Sequence, residues 1–205
     1  MIGMDRLADR AYLALPLVLW PISFILLRSI FIYAMTASTL ILASLSMYRY
    51  RNRIRWNRKG LRKAAVSGIC GAVALYLIFA FGNMVVSRIG LSSFVSDVYA
   101  SIYSSGSKPV TFILLAVIGI SEEIYWRGGL QGYAESSSGR LGRMPWLAST
   151  AYYTVVHLST LNPVLVGAAF FVGITTSLVS YKFGTLASIA THIAWIEAVV
   201  IFFPL

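Results

Sequence analysis

Seven stretches of this chain are too long and too apolar for any surroundings but a lipid bilayer, and they settle its fold class. They cover residues 11–27, 29–48, 64–86, 109–126, 145–161, 163–181 and 185–203. Each holds about 17–23 residues, enough for an α-helix to cross the hydrocarbon core. Only 12% of the 205 residues are charged, about half the share usual in a soluble domain. A large buried core would instead show shorter apolar runs broken by charged faces. The expectation is an all-α, polytopic helical membrane bundle with about seven transmembrane helices, built as a single domain over 1–205. Residues 11–108 supply the N-terminal spans and an interfacial segment, and 109–203 hold the chemically distinctive core.

Charge then orients the bundle. Eight cations crowd one segment: Arg49, Arg51, Arg53, Arg55, Arg58, Lys59, Arg62 and Lys63. In a soluble protein such a run reads as phosphate binding, but between two spans it marks a cytoplasmic loop. Nucleic acid is therefore not an expected partner, whereas anionic lipid head groups at residues 49–63 are. With this loop inside, the N-terminus is inside and the C-terminus outside. The inside then holds Arg6, Arg10, the eight-residue cluster, Arg140, Arg143 and Lys182, against Arg28, Arg88 and Lys108 outside.

Other features refine the picture. Arg6 and Arg10 precede a long apolar stretch without a small-x-small cleavage site, which reads as a retained first helix. Pro16 and Pro21 predict a kink in that helix. Residues 88–108 place Phe94, Val98 and Ile102 at helical spacing among serines, an interfacial helix or loop. Residues 132–144 read as a polar, flexible loop. Gly68/Ala72 and Ala169/Gly173 offer close helix approach. Cys70, the sole cysteine, excludes an intrachain disulfide and reads as a small hydrophobe.

Chemistry is confined to a few groups. Of seven acids, Glu122, Glu123 and Glu197 lie within or at the end of spans, as do both histidines, His157 and His192. An ionisable group at membrane depth costs about 2.5–3.5 kcal/mol, so its default reading is functional. In Ser121-Glu122-Glu123-Ile124-Tyr125-Trp126-Arg127-Gly128, the adjacent glutamates point about 100° apart on a helix and cannot share a role. Glu123 and Arg127 share one face in the favourable order. Glu122 has no such partner, which suits a general base or acid. Helical rise puts Glu122 on the order of 10 Å, His192 about 12 Å and His157 about 18 Å from the cytoplasmic ends of their spans. The site is accordingly expected to face the cytoplasmic side.

A carboxylate and two histidines can polarise water for attack on a carbonyl and stabilise the oxyanion. Zinc is the rival, held by Glu122, His157 and His192 from separate helices, although His-Glu-x-x-His and any Cys/His cluster are absent. A proton relay through Glu122 or Glu197 in a transporter is a further alternative.

Glu122-Glu123-Ile-Tyr-Trp-Arg127-Gly128 resembles the Glu-Glu-x-x-x-Arg-Gly motif of the CPBP family, the intramembrane glutamic endopeptidases that include CAAX prenyl protease type 2 and the bacteriocin-processing or ABI proteins. Tyr153-Thr-Val-Val-His157 is similar to its Phe-x-x-x-His motif, with Tyr for Phe. The third motif, His-x-x-x-Asn/Asp, is matched only at His192, because Ile196 stands at its last position. The resemblance covers about residues 109–203. It implies Glu122 as the water-activating base, His157 as its partner, Glu123 with Arg127 as support, His192 at the oxyanion, and no catalytic metal. The substrate it implies is a peptide presented at the membrane, either a prenylated protein C-terminus or a small secreted peptide. Ile196 removes one expected donor; Trp195, Asn162 and Glu197 are candidate substitutes. A non-catalytic membrane interaction or immunity protein of the same fold is the alternative that this departure favours.

Overall fold

The computed structural model describes residues 2–104, 106–137 and 139–205, with the side chains of 2–6, 140 and 141 outside the described residues. Arg6 and Arg140, counted above, fall among these. Ten α-helices follow in order: α1 Ile2–Pro21, α2 Phe31–Tyr50, α3 Leu61–Arg88, α4 Ser92–Tyr103, α5 Lys108–Glu123, α6 Gln131–Glu135, α7 Arg140–Arg143, α8 Pro145–His157, α9 Pro163–Phe183 and α10 Thr185–Glu197. The described residues contain no strand. π-helical segments extend α1 (Ile22–Leu26) and α10 (Ala198–Phe202), and a third, Ile124–Leu130, joins α5 to α6.

Among the described residues, six helical stretches are long and apolar enough to cross a membrane: Leu7–Leu26, Arg28–Arg53, Leu61–Arg88, Lys108–Glu135, Pro163–Phe183 and Thr185–Phe202. The chain is a multi-pass helical membrane protein. The seventh expected span, 145–161, is the 13-residue α8, only about 20 Å long, and it stops at His157 in a 3₁₀ turn. Proline and glycine punctuate the bundle as their chemistry dictates. Pro145 and Pro163 open α8 and α9, where a missing N–H costs nothing. Asn162 caps α9 by accepting from Leu165 N–H at 3.0 Å. Helix α1 passes through Pro16 and changes to π geometry immediately after Pro21.

One end of the bundle gathers the basic segment. Residues 54–58 lie on the α9–α10 turn, with Arg58 N–H donating to Phe183 O, Thr185 N–H to Arg55 O and Leu186 N–H to Trp56 O. The expected flexible loop is tied down here as well. Residues 131–135 continue the helix, and Glu135 accepts from Arg58 at 2.6 and 2.9 Å. The Asp9–Arg49 pair sits at the same end. The opposite end carries α4, whose carbonyl at Phe94 accepts from Asn162 Nδ2 at 2.8 Å. Tyr99 and Tyr103 of α4 donate to the carbonyls of Val199 and Val200, which lie in the π segment following α10. The segment read as interfacial is thus a helix whose apolar side covers the bundle.

Small residues set the tightest packing. A Cβ on Gly68 would lie 2.6 Å from Ala190 Cβ, and one on Gly71 2.7 Å from Thr191 Oγ1, so α3 and α10 touch nearly backbone to backbone. Gly173 packs in the same way on Thr150 and Tyr153 of α8. Both expected small-residue pairs mark helix contacts.

Candidate active site

The two glutamates stand at the junction where α5 gives way to π geometry. Such a widened turn is common at functional sites, and here it carries the chain past two close neighbours. A side chain on Gly128 would meet Ile54, and one on Gly129 would collide with the Tyr12 hydroxyl and Ser46. The glycines therefore allow α1 and α2 to pack directly on the segment that holds the acids.

Glu123 is fully buried between two cations or potential cations. Its Oε1 lies 2.9 Å from His192 Nδ1 and 3.4 Å from Arg127 Nη1. Arg127 lies over the Tyr153 ring, 4.7 Å from its centroid, and reaches Gly173 O at 3.4 Å. The supporting pair read from i, i+4 spacing is thus present, and it also holds His192, which the spacing did not reveal.

Glu122 points elsewhere, as the 100° offset requires. Its Oε2 accepts from the Tyr153 hydroxyl at 3.0 Å, and His192 Nε2 stands 3.9 Å from the same oxygen. Because a carboxylate only accepts, the 2.9 Å contact makes Nδ1 of His192 the donor to Glu123 and turns Nε2 toward Glu122. One imidazole therefore stands between two carboxylates, fixed by one and facing the other.

His157 reaches the same cavity, with different partners. Trp20 Nε1–H donates to its Nε2 at 3.2 Å, and its Nδ1 bonds Tyr153 O at 2.8 Å. An Nε2 that accepts is unprotonated, so the neutral ring donates from Nδ1. Neither nitrogen contacts Glu122. Trp20 escaped the sequence reading because nothing local links the first span to the fifth. Tyr153 entered it only as the aromatic residue of a motif. Its signal was a phenol within an apolar run, which needs a partner when buried.

The three candidate donors divide. Trp195 lines the cavity against the His192 ring, and its Nε1 is buried without a hydrogen-bond partner. Asn162 is spent on capping α9 and on Phe94 O, so it is not available to the site. Glu197 is buried with both oxygens unpartnered, but it is not among the cavity-lining residues. Ile196 lines the wall where the third motif would place an amide. Among the described residues, no three His, Cys, Asp or Glu side chains form a group that could hold a metal ion.

The cavity has a volume of about 440 Å³. Glu122, Tyr153, His157 and His192 form its polar part. Its remaining walls are chiefly apolar side chains, including Phe79, Val98, Leu115, Phe171 and Val199. Most of them come from α4 and from the halves of α3, α9 and α10 remote from the basic end. Glu122, Tyr153 and the two histidines thus form the polar floor of a void that extends away from residues 49–63.

No curated protein and no solved structure matches the chain. Residues 104–196 match the profile of the family described as "Type II CAAX prenyl endopeptidase Rce1-like". The matched region contains both glutamates, Arg127, Tyr153 and both histidines. Over residues 104–196, the chain is similar to the Rce1-like type II CAAX prenyl endopeptidase family.

Proposed function

We propose that this protein is an intramembrane endopeptidase that hydrolyses a peptide bond of a prenylated, membrane-presented substrate, with water activated by Glu122. The observation that carries this reading is the Glu122 carboxylate, held by Tyr153 and faced by His192 at the floor of an apolar cavity. A void of this size and lining suits a hydrocarbon chain next to a few fixed polar groups. The charge balance puts the basic end in the cytoplasm. The peptide reaches the acids from that side, while its lipid anchor occupies the void.

In the reaction, Glu122 takes a proton from water as the new C–O bond forms and the carbonyl electrons move to oxygen. His192, held by Glu123 with its Nε2 turned into the site, and the Trp195 indole N–H stabilise that oxyanion. Glu122 then passes its proton to the leaving amine as the C–N bond breaks. His157 lines the same cavity beside Tyr153, with its ring fixed by Trp20 and the Tyr153 carbonyl, and acts as the positioning partner of the site. No resident metal takes part.

Cleavage of prenylated peptides in proteoliposomes tests this reading. Glu122→Gln and His157→Ala should each lower turnover by about 10²–10⁴-fold. Full activity in Glu122→Gln would remove the base assignment. Inhibition by chelators that added zinc reverses would replace the metal-free scheme with zinc held by Glu122, His157 and His192. The wall position of Ile196 favours a second reading, a non-catalytic interaction protein. Binding without cleavage by the wild-type protein, across a panel of prenylated peptides, would establish it.

A further inference from the structure

A second concavity lies at the basic end, far from the acids. It is an open cleft of about 840 Å³ lined by Arg55, Asn57, Arg58, Lys59, Lys182 and the aromatic pair Tyr181 and Phe183. We propose that this cleft is a binding site for the phosphodiester head group of an anionic glycerophospholipid.

The cleft is a fixed shape. Three backbone hydrogen bonds pin residues 55–58 to the α9–α10 turn. The Asn57 side chain accepts from Lys59 N–H and Gly60 N–H, closing the loop on itself. Gly184, at φ +99°, completes the seam, since a Cβ there would lie 2.8 Å from the carbonyls of both Arg55 and Trp56. Cations held at set positions can recognise a phosphate, whereas cations on a mobile loop only attract it.

Charge also points to an anion. Four cations line the cleft, and no acid does. Glu135 neutralises one of them through Arg58 and Arg55. Lys59 and Lys182 have no acidic partner among the described residues. Arg58 lies over the Tyr181 ring and keeps its Nε buried without a partner. The site therefore retains excess positive charge and an unmet donor, the complement of a singly charged phosphodiester.

Position selects a lipid over a soluble anion. The cleft sits where the spans Pro163–Phe183 and Leu61–Arg88 end, among tyrosine and phenylalanine side chains typical of the membrane–water boundary. Two residues after Lys59, α3 begins an exposed apolar face through Leu61, Val66, Ile69, Val73 and Leu77. The spacing keeps these residues on one side of the helix. This face gives the acyl chains a path below the head group.

The test titrates the full-length protein in neutral detergent with phosphatidylglycerol, phosphatidylcholine and inorganic phosphate. Two double variants remove equal charge: Lys59→Ala/Lys182→Ala inside the cleft and Arg62→Ala/Lys63→Ala outside it. Unchanged melting midpoints in phosphatidylcholine confirm that both fold. The cleft variant should lose roughly tenfold or more in phosphatidylglycerol affinity, and the outer variant less than about twofold. Equal losses in both variants would mean diffuse surface charge and overturn the proposal. Equal binding of phosphatidylcholine, or displacement of phosphatidylglycerol by millimolar phosphate, would overturn it too.

Discussion

Glu122 and Glu123 are neighbours in sequence with separate surroundings, and the separation follows from helix geometry. Glu123 shares a fully buried ion pair with Arg127 and a 2.9 Å contact with His192. Removing its charge would leave the guanidinium unpaired in an apolar interior, which costs about 3–5 kcal/mol in comparable buried pairs. Glu123→Gln should therefore unfold at markedly lower denaturant concentration, and it should also release His192 from its fixed orientation. Wild-type stability in that variant would show that the Arg127–Gly173 contact alone satisfies the arginine. Much of this was legible beforehand: i, i+4 spacing gave the Glu123–Arg127 pair and the 100° offset isolated Glu122. The contacts of Tyr153 and Trp20 were not, because they join residues 31 and 137 positions apart and no local periodicity encodes them.

The elements that matter most at the site are those that depart from plain spanning helices. Helix α8 is too short to cross the hydrocarbon, and the π stretch Ile124–Leu130 widens a helix that hydropathy reads as regular. Hydropathy records how apolar a stretch is, so it merged α8 with the following turn into one expected span and missed the π geometry. The small residues at positions 68 and 72 marked a face for close helix approach, and the structure supplies α10 as its partner. Gly68→Ala would place a methyl group 2.6 Å from Ala190 Cβ, and overpacking of this kind typically costs about 1–3 kcal/mol. Because Thr191 and His192 directly follow Ala190 on α10, the same variant should lower peptide cleavage along with stability. Thermal unfolding and turnover measured on one preparation check the coupling; a stable but inactive or an active but unstable protein would break it.

For the whole molecule, six of the seven long apolar runs reappear as helices long enough to cross a membrane, and the asymmetry of charge reappears as the basic end. The sequence did not reveal that the void next to Glu122 runs toward α4, since its lining comes from seven separate α-helices. With the span Lys108–Glu135 centred on the bilayer, Glu122, 14 positions after Lys108 and 13 before Glu135, stands close to the middle of the insulating layer. A proton reaching it from either aqueous face crosses about half of the membrane's electric field. An elementary charge crossing the full field changes energy by about 2.3 kcal/mol per 100 mV, so half the crossing is worth about 1.2 kcal/mol. In sealed vesicles under an imposed potassium diffusion potential, turnover limited by that proton should change by up to roughly sevenfold per 100 mV, in opposite senses for the two polarities. A rate indifferent to voltage would mean that water carries the aqueous potential down to the carboxylate. The depth of one side chain would thus tie turnover to the electrical state of the membrane that contains the protein.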